Sequence, residues 1–218
     1  MKPFPHADRL IDTIPAFGTD VSALLPTTWV EDVHKCSELH SHWKVLDGGS
    51  LTSREEQFRD GTPPKVGVVT GELIAEQLPW LDALYRHEFL SLVNTLVEGH
   101  YEVSADLRSS MNINTTPRGS RYEWHVDSNP VTALLFVTSH KPAEGGQLLF
   151  RPDPVTRPGE AWELQISPQA GTLLIFDGRE AAHVVTHLNM GLRLSIPMNY
   201  YLVGHQERPA DLQEHLYG

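Results

Sequence analysis

The sequence predicts a mainly β fold with flanking α-helices, in the form of a sandwich or double-sheet jelly roll. From Tyr101 onward, apolar residues recur with a period of two, which is typical of β-strands. Short candidate strands there are separated by turns rich in Pro, Gly and Asn, which is the spacing of a sandwich or jelly roll. Helical patterns come earlier in the chain, so we expect the helices to pack on one sheet.

The first 108 residues have a mixed, helix-rich pattern. Residues 9–14 fit either a short helix or a strand, and residues 27–45 suggest packed but irregular structure. Residues 53–60 form a charged stretch between two turn signals, which is either a lid or a plain surface connection.

Two consecutive helices are predicted after Thr70. Gly71–Gln77 predicts a short helix that stops before Pro79, and Pro79 suits the first turn of the next helix, which can end at Gly99. One apolar stripe at helical spacing runs along these helices and predicts packing on the outer face of a sheet. Its members are Leu81, Leu84, Tyr85, Leu92, Val93 and Leu96.

Eight candidate strands follow. They are residues 109–115, 121–127, 131–138, 147–151, 161–165, 172–176, 183–187 and 192–202. We therefore expect a single domain over 1–218, with a helix-rich N-terminal part (1–108), a β core (109–203) and a polar tail (204–218).

The amino-acid composition excludes several classes of function. The chain has 218 residues, 40% hydrophobic content and one cysteine, Cys36, so we expect one globular domain without an internal disulfide. No apolar run approaches the ~20 residues of a membrane-spanning helix, and the N-terminus has no hydrophobic signal region, so we expect a cytoplasmic protein without a membrane partner. The formal charge of −11 argues against nucleic acid as a partner.

Arginine is frequent in the β core despite the acidic total. We expect most of these arginines to be solvated and a minority to bind an anionic co-substrate or substrate. They are Arg118, Arg121, Arg151, Arg157, Arg179 and Arg193.

The candidate metal ligands begin in the stretch Arg-Tyr-Glu-Trp-His-Val-Asp, residues 121–127. On a β-strand, His125 and Asp127 point to the same face. A further histidine, His183, follows the buried strand 172–176. Two histidines and one carboxylate on one side of a metal form the facial triad of non-haem Fe(II) oxygenases. A surface pair on an edge strand is the alternative, but Trp124 and the apolar strand after Asp127 argue against it.

The ordered set resembles the Fe(II)/2-oxoglutarate-dependent dioxygenases, in particular the prolyl-hydroxylase-like branch. The resemblance covers roughly Met111 to Leu202: His-x-Asp, a Gly-Gly turn before a strand, a distal histidine, and an arginine ten residues later. It implies a double-stranded β-helix core of the cupin-like type. It also implies Fe(II) as the metal, with 2-oxoglutarate and O2 as co-substrates. Whether ascorbate is needed stays open.

The resemblance gives roles to individual residues. It implies that His125, Asp127 and His183 bind iron. His187 is a rival to His183, on what we expect to be the same strand face, but it stands only six residues before Arg193. Arg193 is expected to hold the distal carboxylate of 2-oxoglutarate through two parallel hydrogen bonds.

The sequence gives weaker signals for the other residues that contact 2-oxoglutarate. Ser195 shares the face of Arg193 and can add a third hydrogen bond. Where the family often has a tyrosine, this chain has Thr115 and Thr116, and Leu135 stands where a second one is expected. Asn114, with Asn112 on the same strand face, is an alternative polar contact.

The resemblance implies hydroxylation of a substrate coupled to conversion of 2-oxoglutarate to succinate and CO2. Asp127 argues against halogenation, because halogenating relatives replace this carboxylate with a small residue. A compact chain favours a small molecule, such as an amino acid or a natural-product intermediate. A peptide (prolyl-type) hydroxylase and a non-catalytic cupin-like metal-binding module remain alternatives, and a zinc hydrolase is disfavoured because no general base is evident.

Residues expected near the iron are the candidates for substrate binding, although each is also explained by a structural role. They are Arg118, Arg121, Trp124, Asn129, Trp162, Asp177 and Arg179.

Overall fold

The computed structural model describes residues 8–11, 16–45, 64–151 and 164–206, and every structural statement below concerns these residues. The predicted lid at residues 53–60, together with Arg157, Trp162 and most of the predicted tail, lies outside them. The described strands are β1 (Asp8–Ile11), β2 (Ala16–Asp20), β3 (His42–Val45), β4 (Lys65–Thr70), β5 (Tyr101–Val103), β6 (Asn112–Pro117), β7 (Tyr122–His125), β8 (Val131–Phe136), β9 (Leu148–Arg151), β10 (Leu164–Ile166), β11 (Thr172–Asp177), β12 (Ala182–Val185) and β13 (Leu192–Leu202).

Helices lie only in the N-terminal half of the described chain, apart from one 3₁₀ turn at Pro142–Glu144. They are a 3₁₀ turn (Ser22–Leu24), α1 (Trp29–His40), α2 (Gly71–Gln77), α3 (Pro79–Leu84), a π-helical turn (Tyr85–Phe89) and α4 (Leu90–Leu96). The helix bounds predicted for residues 71–77 are confirmed. None of the described helices is long and apolar enough to cross a bilayer.

The strands form two antiparallel sheets. The major sheet has the order β1-β2-β11-β8-β13-β6-β4-β3, with β5 pairing on β13. The minor sheet has the order β10-β9-β12-β7. All eight strands predicted after residue 108 have a counterpart: β13 has the predicted bounds, the others have shifted ends, and only the end of the predicted strand 161–165 lies within the described residues. The mainly β, jelly-roll fold class is confirmed.

The two faces of the major sheet pack against different partners. Alternate residues of β8, β11 and β13, such as Leu135, Ile175 and Ile196, pack with the helices in one large apolar core. The intervening residues, such as Phe136 and Phe176, pack with the minor sheet in a smaller core. The space between the two sheets is called the barrel interior below.

The predicted apolar stripe of the helices packs in the large core. Five of its six members are buried there, and Leu96 is partly buried against it. These side chains face the side of the major sheet that is turned away from the barrel interior.

Residues 27–45 are not irregular, because they contain helix α1 and strand β3. The apolar positions of α1 are sparse, and the helix is held partly by a polar contact: Ser37 Oγ lies 2.6 Å from Thr115 Oγ1 on β6. A buried polar pair of this kind leaves no hydrophobic period in the sequence, which explains the wrong prediction.

Candidate metal centre

The two candidate histidine ligands face each other across adjacent strands of the minor sheet. His125 is the last residue of β7, and His183 on β12 is its antiparallel partner. Their ring centroids are 4.2 Å apart. The predicted strand 121–127 ends at His125, so Asp127 lies in the following loop and not on the strand.

Asp127 nevertheless completes a compact three-ligand cluster. Its Oδ1 lies 3.7 Å from His125 Nε2 and 3.8 Å from His183 Nε2. One ligand atom from each of the three residues lies within 4.8 Å of the others, so a single metal ion can contact all three. The structure therefore brings together the three residues that the sequence suggested as ligands.

Backbone carbonyls fix which nitrogen each histidine presents to a metal. His125 Nδ1 lies 2.7 Å from the carbonyl oxygen of Glu123, and His183 Nδ1 lies 2.9 Å from that of Ala181. A carbonyl can only accept, so each Nδ1 carries a proton and donates. In the neutral form that binds a metal, each Nε2 is then the unprotonated nitrogen, and it is directed at the cluster.

The carboxylate of Asp127 is oriented by two buried polar residues. Thr132 Oγ1 donates to Asp127 Oδ2, and Asn129 Nδ2 donates to Thr132 Oγ1 at 2.9 Å. Oδ2 is thereby occupied, which leaves Oδ1 to meet a metal. Asn129, a sequence candidate for substrate binding, is instead 3% exposed and also donates to the Val131 carbonyl.

Gly178 allows the loop that carries Asp127 to pack closely against the backbone that follows β11. The Asp127 amide donates to the Gly178 carbonyl at 2.8 Å. A Cβ atom at residue 178 would approach the Asn129 carbonyl oxygen to 2.7 Å and Thr132 Oγ1 to 3.0 Å. The residue after β11 must therefore be glycine for the Asp127 loop to hold this position.

Aromatic rings surround His183 on the barrel-interior side. Its ring centroid lies 5.1 Å from that of Phe176 and 5.7 Å from that of Phe150. Burial lowers the pKa of His183 to about 4, with a further lowering from His125 and an opposing effect of Asp127. The imidazole is therefore neutral near pH 7, which is the form that binds a metal.

Arg193 lies in the barrel interior with one nitrogen unpartnered. It is 1% exposed, its Nε donates to the Gly146 carbonyl at 3.1 Å, and its Nη1 donates to Ser195 Oγ at 2.8 Å. Among the described residues, none accepts a hydrogen bond from its buried Nη2. Burial lowers the pKa of Arg193 to about 10, so the group stays charged near pH 7.

The close approach of Arg193 to Gly146 depends on the Gly145–Gly146 turn. Gly146 has a φ of +74°. A Cβ atom there would lie 3.2 Å from Cδ of Arg193 and 3.0 Å from Cδ1 of Leu188. Glycine at residue 146 satisfies both the backbone conformation and the space that Arg193 needs.

Thr116 lies directly across the sheet from Arg193. Residues 193 and 116 are antiparallel partners on β13 and β6, as are Ser195 and Asn114. Thr116 is fully buried, and its Oγ1 has no partner in the described part of the chain. Asn114 accepts a hydrogen bond from Asn112, and Thr115 faces the helices instead, where it contacts Ser37.

Sequence reasoning missed Tyr122. Two steps on β12, from Val185 to His183, match three steps on β7, from Tyr122 to His125, so β7 has a bulge. The bulge places Tyr122 and His125 on the same side, with ring centroids 6.4 Å apart. Tyr122 is also close enough to Arg193 to affect its pKa. A regular strand would have pointed Tyr122 away, so alternation alone could not find it.

Most of the remaining candidate residues are exposed or lie in turns. His187 lies beyond the end of β12 and is exposed, so the prediction that it shares a strand face with His183 is wrong. Arg118 and Arg179 are exposed, and Asp177 accepts backbone hydrogen bonds from residues 179 and 180 in a turn.

Three of the core arginines are buried, although we expected most of this group to be solvated. They are Arg121, Arg151 and Arg193. Arg121 forms an ion pair with Glu123 at 2.8 Å, and Arg151 stacks on Trp124. Neither Arg121 nor Trp124 is therefore an exposed contact surface.

The donor set and the neighbouring cavity residues fit Fe(II) and 2-oxoglutarate. Two neutral imidazoles and one carboxylate leave several metal positions open, which suits iron chemistry with a bound co-substrate. Nη2 of the buried Arg193 and the hydroxyl of Thr116 both lack a partner in the described chain, so they can donate to a carboxylate. The fit rests on these orphaned groups and on the ligand types.

Comparison with known sequences gives one family. Residues 111–201 match the family model described as 2OG-Fe(II) oxygenase superfamily. No curated protein sequence matches the chain.

Solved structures of the same architecture are numerous. A 2OG-Fe(II) oxygenase family oxidoreductase from Burkholderia pseudomallei matches with a TM-score of 0.62 and 12% identity, over 86% of this chain and 85% of that chain. A prolyl hydroxylase from Trichoplax adhaerens, in complex with a hypoxia inducible factor peptide fragment, matches with a TM-score of 0.59 and 18% identity. The match covers 88% of this chain and 86% of that chain.

A third similar structure acts in biosynthesis. The non-heme α-ketoglutarate dependent carbocyclase of nogalamycin biosynthesis matches with a TM-score of 0.61 and 13% identity, over 91% of this chain and 85% of that chain. At these identities, all three likenesses concern the fold.

Proposed function

We propose, from the premise that residues 111–201 belong to the 2OG-Fe(II) oxygenase superfamily, that this chain hydroxylates a small molecule and converts 2-oxoglutarate to succinate and CO2. The family is one of enzymes that use Fe(II), 2-oxoglutarate and O2. The observation that carries the proposal is the His125–Asp127–His183 cluster, with the buried, partly unpartnered Arg193 in the same barrel interior.

Each residue has a proposed role. His125 Nε2, His183 Nε2 and Asp127 Oδ1 hold the metal, with tautomers fixed by the Glu123 and Ala181 carbonyls. Bound Fe(II), together with 2-oxoglutarate and O2, supplies the oxidising power. Phe150 and Phe176 pack against His183 and keep water from that side of the site.

Arg193 positions the co-substrate. Its Nη2 donates to the distal carboxylate of 2-oxoglutarate, and Ser195 fixes the guanidinium through Nη1. Thr116 donates to the same carboxylate from the opposite strand, and Asn114 is a weaker candidate because its Oδ1 already receives a hydrogen bond from Asn112. Because Arg193 and Thr116 are buried, these charge-assisted hydrogen bonds are stronger than they would be at the surface.

A small-molecule substrate is supported by the fold likeness to a biosynthetic carbocyclase. The second candidate is a peptide hydroxylase, favoured by the fold likeness to a prolyl hydroxylase bound to a peptide fragment. We also propose a cytoplasmic location, because the chain has a single cysteine. We propose no nucleic-acid partner, because the formal charge of the chain is −11.

The test is an anaerobic titration of the Fe(II)-loaded protein with 2-oxoglutarate, followed by the weak visible band of a 2-oxo acid chelated to iron. We expect the band in the wild-type protein and its loss in His183→Ala. His187→Ala is the matched control, because His187 is exposed and on the same segment, and it should keep the band. A wild-type protein with bound iron and no band would support the non-catalytic metal-binding alternative.

The substrate class is tested by succinate release under air. Small carboxylic acids and amino acids form one panel of additives, and proline-containing peptides form the other. Stimulation by peptides alone would exclude the small-molecule proposal and favour the peptide hydroxylase.

A further inference from the structure

Thr186 is a half-buried residue to which the proposed reaction gives no role, although hydrogen bonds connect it to Arg193. It directly follows β12, and its backbone amide donates to the Gln147 carbonyl at 2.9 Å. In return, the Gln147 amide donates to Thr186 Oγ1 at 3.0 Å. Thr186 and Gln147 therefore extend the β9–β12 ladder by one pair beyond Val185 and Leu148.

The amide of Gln147 belongs to the same peptide unit as the carbonyl of Gly146. In a trans peptide, this N–H and this C=O lie in one plane and point in opposite directions. The N–H donates to Thr186 Oγ1, and the carbonyl accepts from Arg193 Nε at 3.1 Å. One rigid peptide unit thus links the Thr186 hydroxyl to the guanidinium of Arg193.

Residue 146 cannot set the direction of that carbonyl by itself. Gly146 has a φ of +74°, and glycine adopts many backbone conformations, so neighbouring groups must fix the peptide. Thr186 Oγ1 accepts from the Gln147 amide, which leaves its own proton to donate to Gln147 Oε1, 3.4 Å away. The preceding peptide is held by Gln147 Nε2, which donates to the Gly145 carbonyl at 2.9 Å.

Two fixed contacts on the guanidinium of Arg193 determine where its third nitrogen points. The group is planar, with Nε on the Gly146 carbonyl and Nη1 on Ser195 Oγ at 2.8 Å. If the peptide after Gly146 rotates, Nε loses its acceptor and the plane can turn about the Nη1 contact. The Thr186 hydroxyl therefore controls the direction of Nη2 through this peptide.

We propose that Thr186 is a positioning residue, whose hydroxyl holds the Gly146–Gln147 peptide so that Arg193 presents Nη2 to the distal carboxylate of 2-oxoglutarate. This inference rests on the proposed function and deepens it, because it extends the co-substrate site to a residue outside the pocket of Arg193. Loss of the hydroxyl weakens the hold on the distal carboxylate and leaves the metal contacts unchanged, since the side-chain hydrogen bonds of Thr186 involve no candidate ligand.

The first experiment compares two probes by calorimetric titration of the Zn(II)-loaded full chain. 2-Oxoglutarate has the distal carboxylate, whereas oxalate can chelate a metal through two oxygens but lacks that group. Thr186→Val should weaken 2-oxoglutarate binding about fivefold, as expected for the loss of one neutral hydrogen bond. Oxalate binding should be the same as in the wild type. Thr186→Ser keeps the hydroxyl and should restore the affinity for 2-oxoglutarate.

Thr138→Val is the matched control. Thr138 is also half-buried, and its Oγ1 accepts from the Leu194 amide at 3.0 Å. The variant therefore removes a hydrogen bond to the neighbour of Arg193 but leaves the Gly146–Gln147 peptide intact. We expect wild-type affinity for 2-oxoglutarate. An equal loss in Thr138→Val and Thr186→Val would show that general loosening of β13 is the cause, and would overturn the assignment.

The second experiment needs neither metal nor co-substrate. It follows the Nε–H signal of Arg193 by NMR in the ¹⁵N-labelled full chain, assigned through Arg193→Lys. In the wild type, this proton should exchange with water slowly, compared with that of the exposed Arg118. Thr186→Val should shift the signal and speed its exchange, whereas Thr186→Ser should not. An unchanged signal in Thr186→Val would contradict the proposed link.

The outcomes separate this inference from the proposed function. Unchanged 2-oxoglutarate affinity in Thr186→Val, or an equal loss of oxalate affinity, contradicts the positioning role alone. A wild-type protein that binds oxalate but not 2-oxoglutarate contradicts the proposed function. In that case the Arg193 signal still decides whether Thr186 holds the guanidinium.

Discussion

The two faces of the major sheet differ in chemistry although the same strands make both. On β13, Leu194 and Ile196 pack with the helices in the large apolar core, whereas Arg193 and Ser195 point into the barrel interior. The helix-facing side therefore supplies stability, and the interior side supplies polar groups for binding. Strand alternation lets one segment do both, because neighbouring residues never share a face.

The largest effect is expected at the metal centre, which lies on the interior side. Asp127→Ala removes the only carboxylate of the described cluster, so we expect loss of iron binding and of 2-oxoglutarate turnover. The free energy of unfolding of the metal-free protein should change little, because Asp127 is only partly buried. Iron content and succinate release measure this, and turnover at the wild-type rate would remove Asp127 from the site.

Arg193→Gln should act on co-substrate binding more than on the fold. Truncating one partner of a buried charge pair costs about 2–5 kcal/mol, so we expect the KM for 2-oxoglutarate to rise about 30- to 5,000-fold. Metal affinity should stay near wild type, since Arg193 contacts no candidate ligand. A KM within twofold of the wild-type value would contradict the proposed pocket.

Leu194→Ala is the matched variant on the helix-facing side, one residue away. Leu194 is fully buried in the large core, so the free energy of unfolding should fall by about 2–5 kcal/mol. Below the lowered Tm, the KM for 2-oxoglutarate should be unchanged. Chemical denaturation and steady-state kinetics give both values, and a large KM change would show that the two faces are not separable.

Thr132→Val tests the orientation of Asp127. Valine keeps the shape but cannot donate to Oδ2, so metal affinity should fall about 10- to 100-fold, as for other residues that orient metal ligands. Thr132→Ser keeps the hydroxyl and should restore most of the affinity. Metal titration is the readout, and equal affinities in both variants would assign Thr132 a packing role only.

Thr116→Val should give the smallest effect. It removes one neutral hydroxyl from the pocket of Arg193, and a single hydrogen bond of this kind contributes about 1 kcal/mol. We expect the KM for 2-oxoglutarate to rise about fivefold with no loss of Tm, because valine fills the same buried volume. An unchanged KM would leave Arg193 and Ser195 as the contacts to the distal carboxylate.

Residue spacing in the sequence predicted the residues of the candidate site more completely than it predicted the secondary structure. His125, Asp127, His183 and Arg193 were suggested by their order and spacing along the chain. The structure brings the first three together in one cluster and buries Arg193. Helix α1 was missed because its contact with Thr115 is polar, which hydrophobic periodicity does not register.

Two residues needed the three-dimensional arrangement to be noticed. Tyr122 faces the interior only because β7 has a bulge, which shifts the alternation by one residue. Arg151 looked like a solvated surface arginine, yet it is buried and stacked on Trp124. Neither bulges nor side-chain burial follow from a count of apolar positions.

The sequence by itself determined the order of strands and turns and the mainly β class, because these depend on local alternation and on residue type. It also suggested His125, Asp127 and His183 as candidate metal ligands, through their residue types and a resemblance to a family. Only the tertiary structure decided which polar groups are left without partners, namely Arg193 Nη2, Thr116 Oγ1 and the two nitrogens of Arg151 within the described chain. The physical reason is that hydrogen-bond satisfaction is a property of all neighbours in space, and those neighbours come from strands far apart in the sequence.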